Sequence, residues 1–277
     1  MHRVEANGAR IPAIGLGTWT LDDAAAEAMV RAALGVGYRH IDTAVMYGNE
    51  TGVGAGLRAG GVARDEVFVT TKIWPDQIAD GALQAALEGS LTRLGLDMVD
   101  LALIHWPSPT IPLAESIGAL NDARTKGLTR HIGVSNFNAA RVREAARLSA
   151  HPLVCNQIEN HPLLDQERIM AANRALGLAT TSYCPLARGG ALFEEPAVAS
   201  PAARLGVSPA QVVLRWHVQQ DGVVAIPRTT NPARLEENLS VFDFSLEPEE
   251  MTAIGALRTR GLRLCEGSEH APEWTAA

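Results

Sequence analysis

Eight short apolar runs, each followed by a helical pattern, constrain this chain more than any other feature. The runs are Ile14–Thr18, Tyr38–Thr43, Val67–Ile73, Val99–His105, His131–Asn136, Val154–Glu159, Ala179–Cys184 and Val223–Pro227. A strand buried on both faces reads as continuously apolar, and strands alternating with helices build a parallel sheet. Amphipathic, alanine-rich stretches lie between them: Asp22–Leu34, Asp80–Leu94, Leu113–Lys126, Ala139–Leu148, Gln166–Leu176, Ser208–Gln219 and Pro232–Leu239. Asp22 or Asp23 is placed to cap the first, and Gly95 to end the second. Eight βα units in 277 residues fit an α/β fold of the closed (β/α)8, or TIM-barrel, type. An open dinucleotide-binding sheet would carry G-x-G-x-x-G after its first strand. Gly15-Leu16-Gly17 has no third glycine, and Gly52-Val53-Gly54-Ala55-Gly56 has the wrong spacing, so both clusters read as turn and packing features. Asn7-Gly8 predicts an N-terminal β-hairpin with arms Arg3–Glu5 and Arg10–Pro12, placed to plug the barrel bottom. No Pro/Gly/Ser-rich linker and no fixed-period repeat divides the chain, so residues 1–277 read as a single domain.

The charge balance excludes some function classes. A formal net charge of −7 argues against a partner bound through its phosphate backbone, so no nucleic acid is expected. Cys155, Cys184 and Cys265 are odd in number and far apart, with no C-x-x-C, which predicts reduced thiols and neither a disulfide framework nor a metal site. No apolar run approaches the roughly 18 residues of a membrane span, and the N-terminus has no signal-like apolar core. A cytoplasmic protein is expected, with no membrane partner.

In a barrel of this type, polar residues at the carboxyl ends of strands are the ones that carry chemistry. Here Asp42 ends the second strand with Tyr47 just beyond it, Lys72 ends the third and His105 the fourth. A phenol has a free pKa of about 10, and a nearby ammonium would favour its ionised form and lower that value. Asp42 can pair with Lys72 and fix it, and His105 can hydrogen-bond a carbonyl oxygen. Each residue also has a plain structural role open to it: a strand-end His within the core, an Asp as a cap, a solvated Lys. Spacing alone leaves the two readings balanced.

Longer motifs tip that balance. Gly37-Tyr38-Arg39-His40-Ile41-Asp42-Thr43-Ala44 with Tyr47-Gly48-Asn49-Glu50 resembles the first signature of the aldo-keto reductase superfamily. Leu103-Ile104-His105-Trp106-Pro107 resembles its histidine segment, and Ile132–Phe137 its middle signature. Ile226-Pro227-Arg228-Thr229-Thr230 with Arg234, Glu237 and Asn238 resembles its last one. The resemblance runs in collinear order to about residue 258. It implies a barrel reductase that uses NADPH without metal or flavin, with Asp42, Tyr47, Lys72 and His105 as its catalytic tetrad. It places Ser135, Asn136 and Gln157 on the nicotinamide carboxamide, Tyr183 on the ring face, and Thr18 and Trp19 on the first-strand wall. At the adenosine end, Arg228, Thr229 and Arg234 suit a 2′-phosphate, because a guanidinium fork binds two oxygens. Glu237 and Asn238 match adenine contacts. The family commonly carries lysine where Arg228 stands, which leaves the strictness of NADPH over NADH open.

Trp19, Trp74 and Trp106 lie just past three strand ends and, with His105, would wall a site for a small carbonyl compound. The short loops Pro107–Pro112 and Ala187–Pro196 suggest an open pocket. The nearest resemblance is to the prokaryotic branch that includes 2,5-diketo-D-gluconate reductases of the B type and methylglyoxal reductases. It is carried by Thr71–Trp74, His105–Pro109, Gly127–Arg130 and Ala271–Trp274. An oxidoreductase acting on CH–OH groups follows, working as a monomer. The arginine-rich Arg258–Arg263 could attract sugar acids or be a solvated tail. Two other readings stand beside the reductase: an aldolase forming a Schiff base on Lys72, and an NADPH-binding regulatory protein with vestigial turnover.

Overall fold

The computed structural model describes residues 2–265 and 270–274. Two antiparallel strands, β1 (Arg3–Ala6) and β2 (Ala9–Pro12), form the hairpin around Asn7-Gly8. Both turn residues have positive φ, 45° and 88°, as a two-residue turn of this kind requires. The Asn7 amide donates to the carbonyls of Leu153 and Leu176 at 2.7 and 3.0 Å. The hairpin therefore closes the amino end of the barrel, as expected.

Eight parallel strands follow in sequential order. They are β3 (Leu16–Gly17), β4 (His40–Asp42), β5 (Phe68–Ile73), β6 (Val99–Ile104), β7 (Thr129–Ser135), β8 (Leu153–Glu159), β9 (Ala179–Tyr183) and β10 (Val223–Ala225). The ring shuts where Ile14 bridges Ala225. The Gly15 amide donates to the Ala225 carbonyl and the Ala225 amide to the Ala13 carbonyl, both at 2.9 Å. The first predicted strand is shorter than its apolar run because this seam is tight. A Cβ on Gly15 would lie 2.7 Å from the His40 ring, and one on Gly17 2.8 Å from the Ile226 carbonyl.

Helices α1 (Asp23–Val36), α2 (Glu50–Ala59), α3 (Ala82–Leu94), α4 (Leu113–Thr125), α5 (Ala139–Leu148) and α6 (Glu167–Ala175) coat the first strands. Then come α7 (Ala191–Glu194), α8 (Pro196–Leu205), α9 (Pro209–Val218), α10 (Ala233–Leu239) and α11 (Pro248–Ala256). Asp22 caps α1 by accepting the Ala25 amide at 2.8 Å, and Gly37 ends it in a left-handed conformation. Strands β5, β6 and β8 are buried along their whole length, which matches their unbroken apolar runs. Each fully buried Leu, Ile or Val contributes about 1.5–3 kcal/mol.

Two expectations need correcting. The Gly52–Gly56 cluster is no turn: it lies within α2, where absent side chains let the helix approach its neighbours. A Cβ on Gly52 would fall 2.1 Å from the Asp23 carbonyl oxygen, and one on Gly54 2.3 Å from that of Leu94. The segment after β9 is also no short loop, since α7 and α8 occupy it. Among the described residues, no helix is long and apolar enough to cross a membrane.

Candidate active site

The stretch after β4 is held by its own signature residues. The chain makes a single short helical turn at Val45–Tyr47 and reverses at Gly48, whose φ of 67° favours glycine. The buried Asn49 amide then donates to the Thr18 and Leu21 carbonyls at 2.8 and 2.9 Å and accepts from Thr43 Oγ1. Buried Glu50 accepts from Thr71 Oγ1 at 2.6 Å and pairs with Arg93 at 2.7 Å, tying α2 to β5 and α3. Tyr47 is thereby fixed over the barrel mouth from both sides.

Lys72, at the end of β5, has no solvent exposure. An ammonium has three N–H donors and no acceptor, and all three are used here. Nζ donates to Asp42 Oδ1 at 2.5 Å, the Thr43 carbonyl at 2.9 Å and Tyr47 Oη at 3.1 Å. The second carboxylate oxygen of Asp42 accepts from Gln157 Nε2 at 2.8 Å. Thr18, fully buried, donates from Oγ1 to the Asp42 carbonyl. Burial disfavours the ammonium, but Asp42 and Tyr47 outweigh it and hold the Lys72 pKa above its ordinary value.

Since the phenol oxygen accepts from Lys72, its own O–H is free to point toward the mouth. The Tyr47 pKa departs from the sequence expectation. Burial raises it, Lys72 pulls it down and Asp42 opposes Lys72, and the net direction is upward. Tyr47 therefore keeps its proton at neutral pH. His105 is 7% exposed and meets Trp74 edge-on at 5.1 Å and Tyr47 at 5.8 Å. Burial, with a smaller push from Lys72, holds its pKa well below 6.5, so the imidazole is neutral. Its Nδ1 is buried without a hydrogen-bond partner. A proton-bearing phenol and a neutral imidazole thus face one spot, backed by a buried cation.

The other predicted residues gather in two places. Asn136 follows β7 at φ 63° and donates to the His105 carbonyl at 3.0 Å and to Ser135 Oγ at 3.1 Å. Its Oδ1 accepts from Tyr183 Oη at 2.8 Å, and Ser135 Oγ donates to the Gln157 carbonyl at 2.9 Å. Ser135, Asn136, Gln157 and Tyr183 are therefore contiguous with the tetrad, and Asn136 spends both amide N–H groups on its neighbours. Near the end of β10, Arg228 and Arg234 are exposed, with no ion pair to a described carboxylate. Arg228 donates to Thr20 Oγ1 at 2.5 Å. Thr229 is buried and holds Asn231, Glu237 accepts from Ser208 Oγ, and Asn238 is buried. Exposed guanidinium groups without a described carboxylate partner at one end and a polar cluster beside an aromatic ring at the other fit a phosphorylated dinucleotide.

Trp19 is 49% exposed and lies 4.9 Å from the Tyr47 ring. Trp74 meets His105, while Trp106, just after β6, is buried. Residues near the chain's end join them: His270 meets Trp74 at 5.6 Å and Trp274 meets Trp106 at 6.3 Å. Short loops therefore do not leave the mouth as open as the sequence suggested. Residues 258–262 are exposed, as the solvated-tail reading expects, but their arginines are not all free of partners. Arg260 pairs with Glu195 at 2.8 Å, and Arg263 stacks on Trp274 at 3.9 Å. Sequence reasoning gave no role to Glu159, whose fully buried carboxylate accepts the Leu264 and Cys265 amides at 2.6 and 3.0 Å and lies 3.0 Å from His161. A glutamate in the last position of an apolar strand was the available signal.

The sequence matches the model of the Aldo/keto reductase family over residues 13–259. An aldo-keto reductase of Mycolicibacterium vanbaalenii is 47% identical over 248 residues, covering 89% of this chain and 88% of that one. Methylglyoxal reductase DkgA of Yersinia pestis is 44% identical, with 91% and 90% covered. A crystal structure provisionally assigned as 2,5-diketo-D-gluconic acid reductase B superposes with a TM-score of 0.96 at 45% identity, covering 100% and 98%. The Bombyx mori aldo-keto reductase in complex with NADP superposes at 0.88 and 36% identity, with 94% of each covered.

Proposed function

Because this chain belongs to the aldo/keto reductase family, we propose that it reduces small aldehydes and ketones to alcohols with NADPH, its 277 residues working as one domain. Bound NADPH supplies the hydride. Every other part of the reaction falls to side chains at the strand ends. Tyr47 and His105 hydrogen-bond the carbonyl oxygen and draw charge onto it, and Tyr47 gives that oxygen its proton. Lys72 stabilises the phenolate left behind, and Asp42 holds Lys72. Ser135, Asn136, Gln157 and Tyr183, with Thr18 and Trp19, would hold the nicotinamide end. Arg228, Thr229 and Arg234 would take the 2′-phosphate, with Glu237 and Asn238 at the adenine. The observation that carries this reading is the triple contact of Lys72 Nζ with Asp42, Thr43 and Tyr47.

The same contact disfavours the aldolase reading. A Schiff-base lysine needs a neutral, accessible amine, whereas Lys72 is enclosed and its pKa is raised.

Trp19, Trp74 and Trp106 beside the tetrad suit a small carbonyl with some apolar surface. Methylglyoxal and 2,5-diketo-D-gluconate are the substrates to try first, given the names of the relatives. The test is NADPH oxidation by the purified protein with each compound, repeated with NADH. Substrate-dependent oxidation that favours NADPH is expected. NADPH binding without turnover of any aldehyde or ketone would leave the vestigial, regulatory reading in its place.

A further inference from the structure

Two cysteines meet where the end of the chain crosses the barrel mouth. Cys184 directly follows Tyr183 at the end of β9, and its Sγ lies 3.9 Å from Sγ of Cys265. The two are 81 positions apart in sequence and both are half-buried. Cys265 lies outside any helix or strand, with its amide anchored on Glu159. We propose that Cys184 and Cys265 are an oxidisable thiol pair, and that a hydroperoxide converts them to a disulfide fastening the C-terminal segment to the end of β9.

The surroundings divide the labour between the two sulfurs. The Cys265 thiol and the Arg188 guanidinium stabilise a thiolate at Cys184 and bring its pKa down to about 7, against burial and Glu159. Cys265 is pushed the other way, chiefly by that same contact with Cys184, and keeps its proton. A thiolate is the reactive form toward peroxide. Cys184 sulfur attacks one peroxide oxygen, the O–O bond breaks, and a sulfenic acid forms as water, or an alcohol from an organic peroxide, departs. Cys265 sulfur then attacks Cys184 sulfur, the S–O bond breaks, and a water leaves with the Cys265 proton. The pair loses two electrons and two protons to the peroxide.

Closing the bond brings the sulfurs to about 2.05 Å. The segment so fastened continues to His270 and Trp274, which lie on Trp74 and Trp106. Cys155 is a built-in control: it has no exposure, hydrogen-bonds Thr181 Oγ1 and is pushed up to about 12 by burial.

The test treats the native full chain with hydrogen peroxide, blocks remaining thiols, and maps tryptic peptides by mass. The expected result is a link between peptides 175–188 and 264–277 that dithiothreitol reverses and that Cys184→Ser or Cys265→Ser each abolishes. In the reduced native chain, iodoacetamide should label Cys184 at least ~10-fold faster than Cys155, as its thiolate character requires. The proposal is overturned if the two peptides stay unlinked, if Cys184 passes to the sulfinic acid without a link, or if the links join separate chains. Mass is the readout, so any of these outcomes leaves the reductase reading untouched.

Discussion

Lys72 is the residue on which the site turns. Its charge sits where water does not reach, and it is held by one carboxylate, one carbonyl and one phenol. Removing one member of a buried pair leaves the other charge uncompensated, at about 3–5 kcal/mol, whereas replacing both with apolar groups can be nearly neutral. Lys72→Met should therefore lose that much stability in chemical denaturation, because Asp42 remains buried and unpaired. The Lys72→Met/Asp42→Leu chain should recover much of the loss while staying inactive. A double variant less stable than Lys72→Met would mean that Asp42 is held by something other than this pair. Asp42, Lys72 and His105 stood out in sequence at strand ends and Tyr47 in the turn beyond β4, but only the resemblance to the family's signatures assigned them their roles. The direction of the Tyr47 shift was not legible in sequence, because it depends on burial outweighing a cation whose distance no spacing specifies.

At the scale of elements, glycine spacing sets how closely α2 can lie against its neighbours. Gly52 faces α1 and Gly54 faces the end of α3, both at distances no Cβ tolerates. Gly54→Val should destabilise the chain by about 1–3 kcal/mol through overpacking. Since α2 begins at Glu50, three residues after Tyr47, it should also lower kcat. A Gly54→Val chain with unchanged denaturation midpoint and kcat would show that the helix shifts freely. The run Gly52–Gly56 misled the sequence reading because glycine lowers helix propensity, and only the packing partner explains its use. Helices α7 and α8 escaped notice for a similar reason: Gly189, Gly190, Pro196 and Pro201 punctuate their segment as a loop would. The strand order, by contrast, followed from the alternation of apolar runs and helical patterns, and only the strand ends moved.

For the whole molecule, closure has an electrostatic consequence. Histidines buried under the barrel's helices and at its strands are kept neutral. His217 has no exposure, and burial pulls its pKa down to about 3. His40 and His105 shift in the same direction. The unfolded chain takes up these protons from about pH 6.5, and the folded chain only far lower. Below that pH the unfolded state binds more protons, so stability is present at neutral pH and is lost as pH falls. Glu159, whose pKa is lowered, adds a loss of the same sign at still lower pH. The melting temperature should decline steadily from pH 7 to pH 4, and His217→Gln should flatten the slope. A melting temperature constant down to pH 5 would contradict the buried neutral histidines.

The central claim is that a protonated Tyr47, backed by Lys72, delivers the proton to a carbonyl oxygen. It is tested most directly by Tyr47→Phe, which keeps the ring against Trp19 and His105 and removes only the hydroxyl. Carbonyl reduction should fall about 10²–10⁴-fold in kcat, the usual share of a general acid, while NADPH binding, followed by tryptophan fluorescence, stays within a few-fold. A Tyr47→Phe chain that reduced its substrate at near the original rate would contradict the claim.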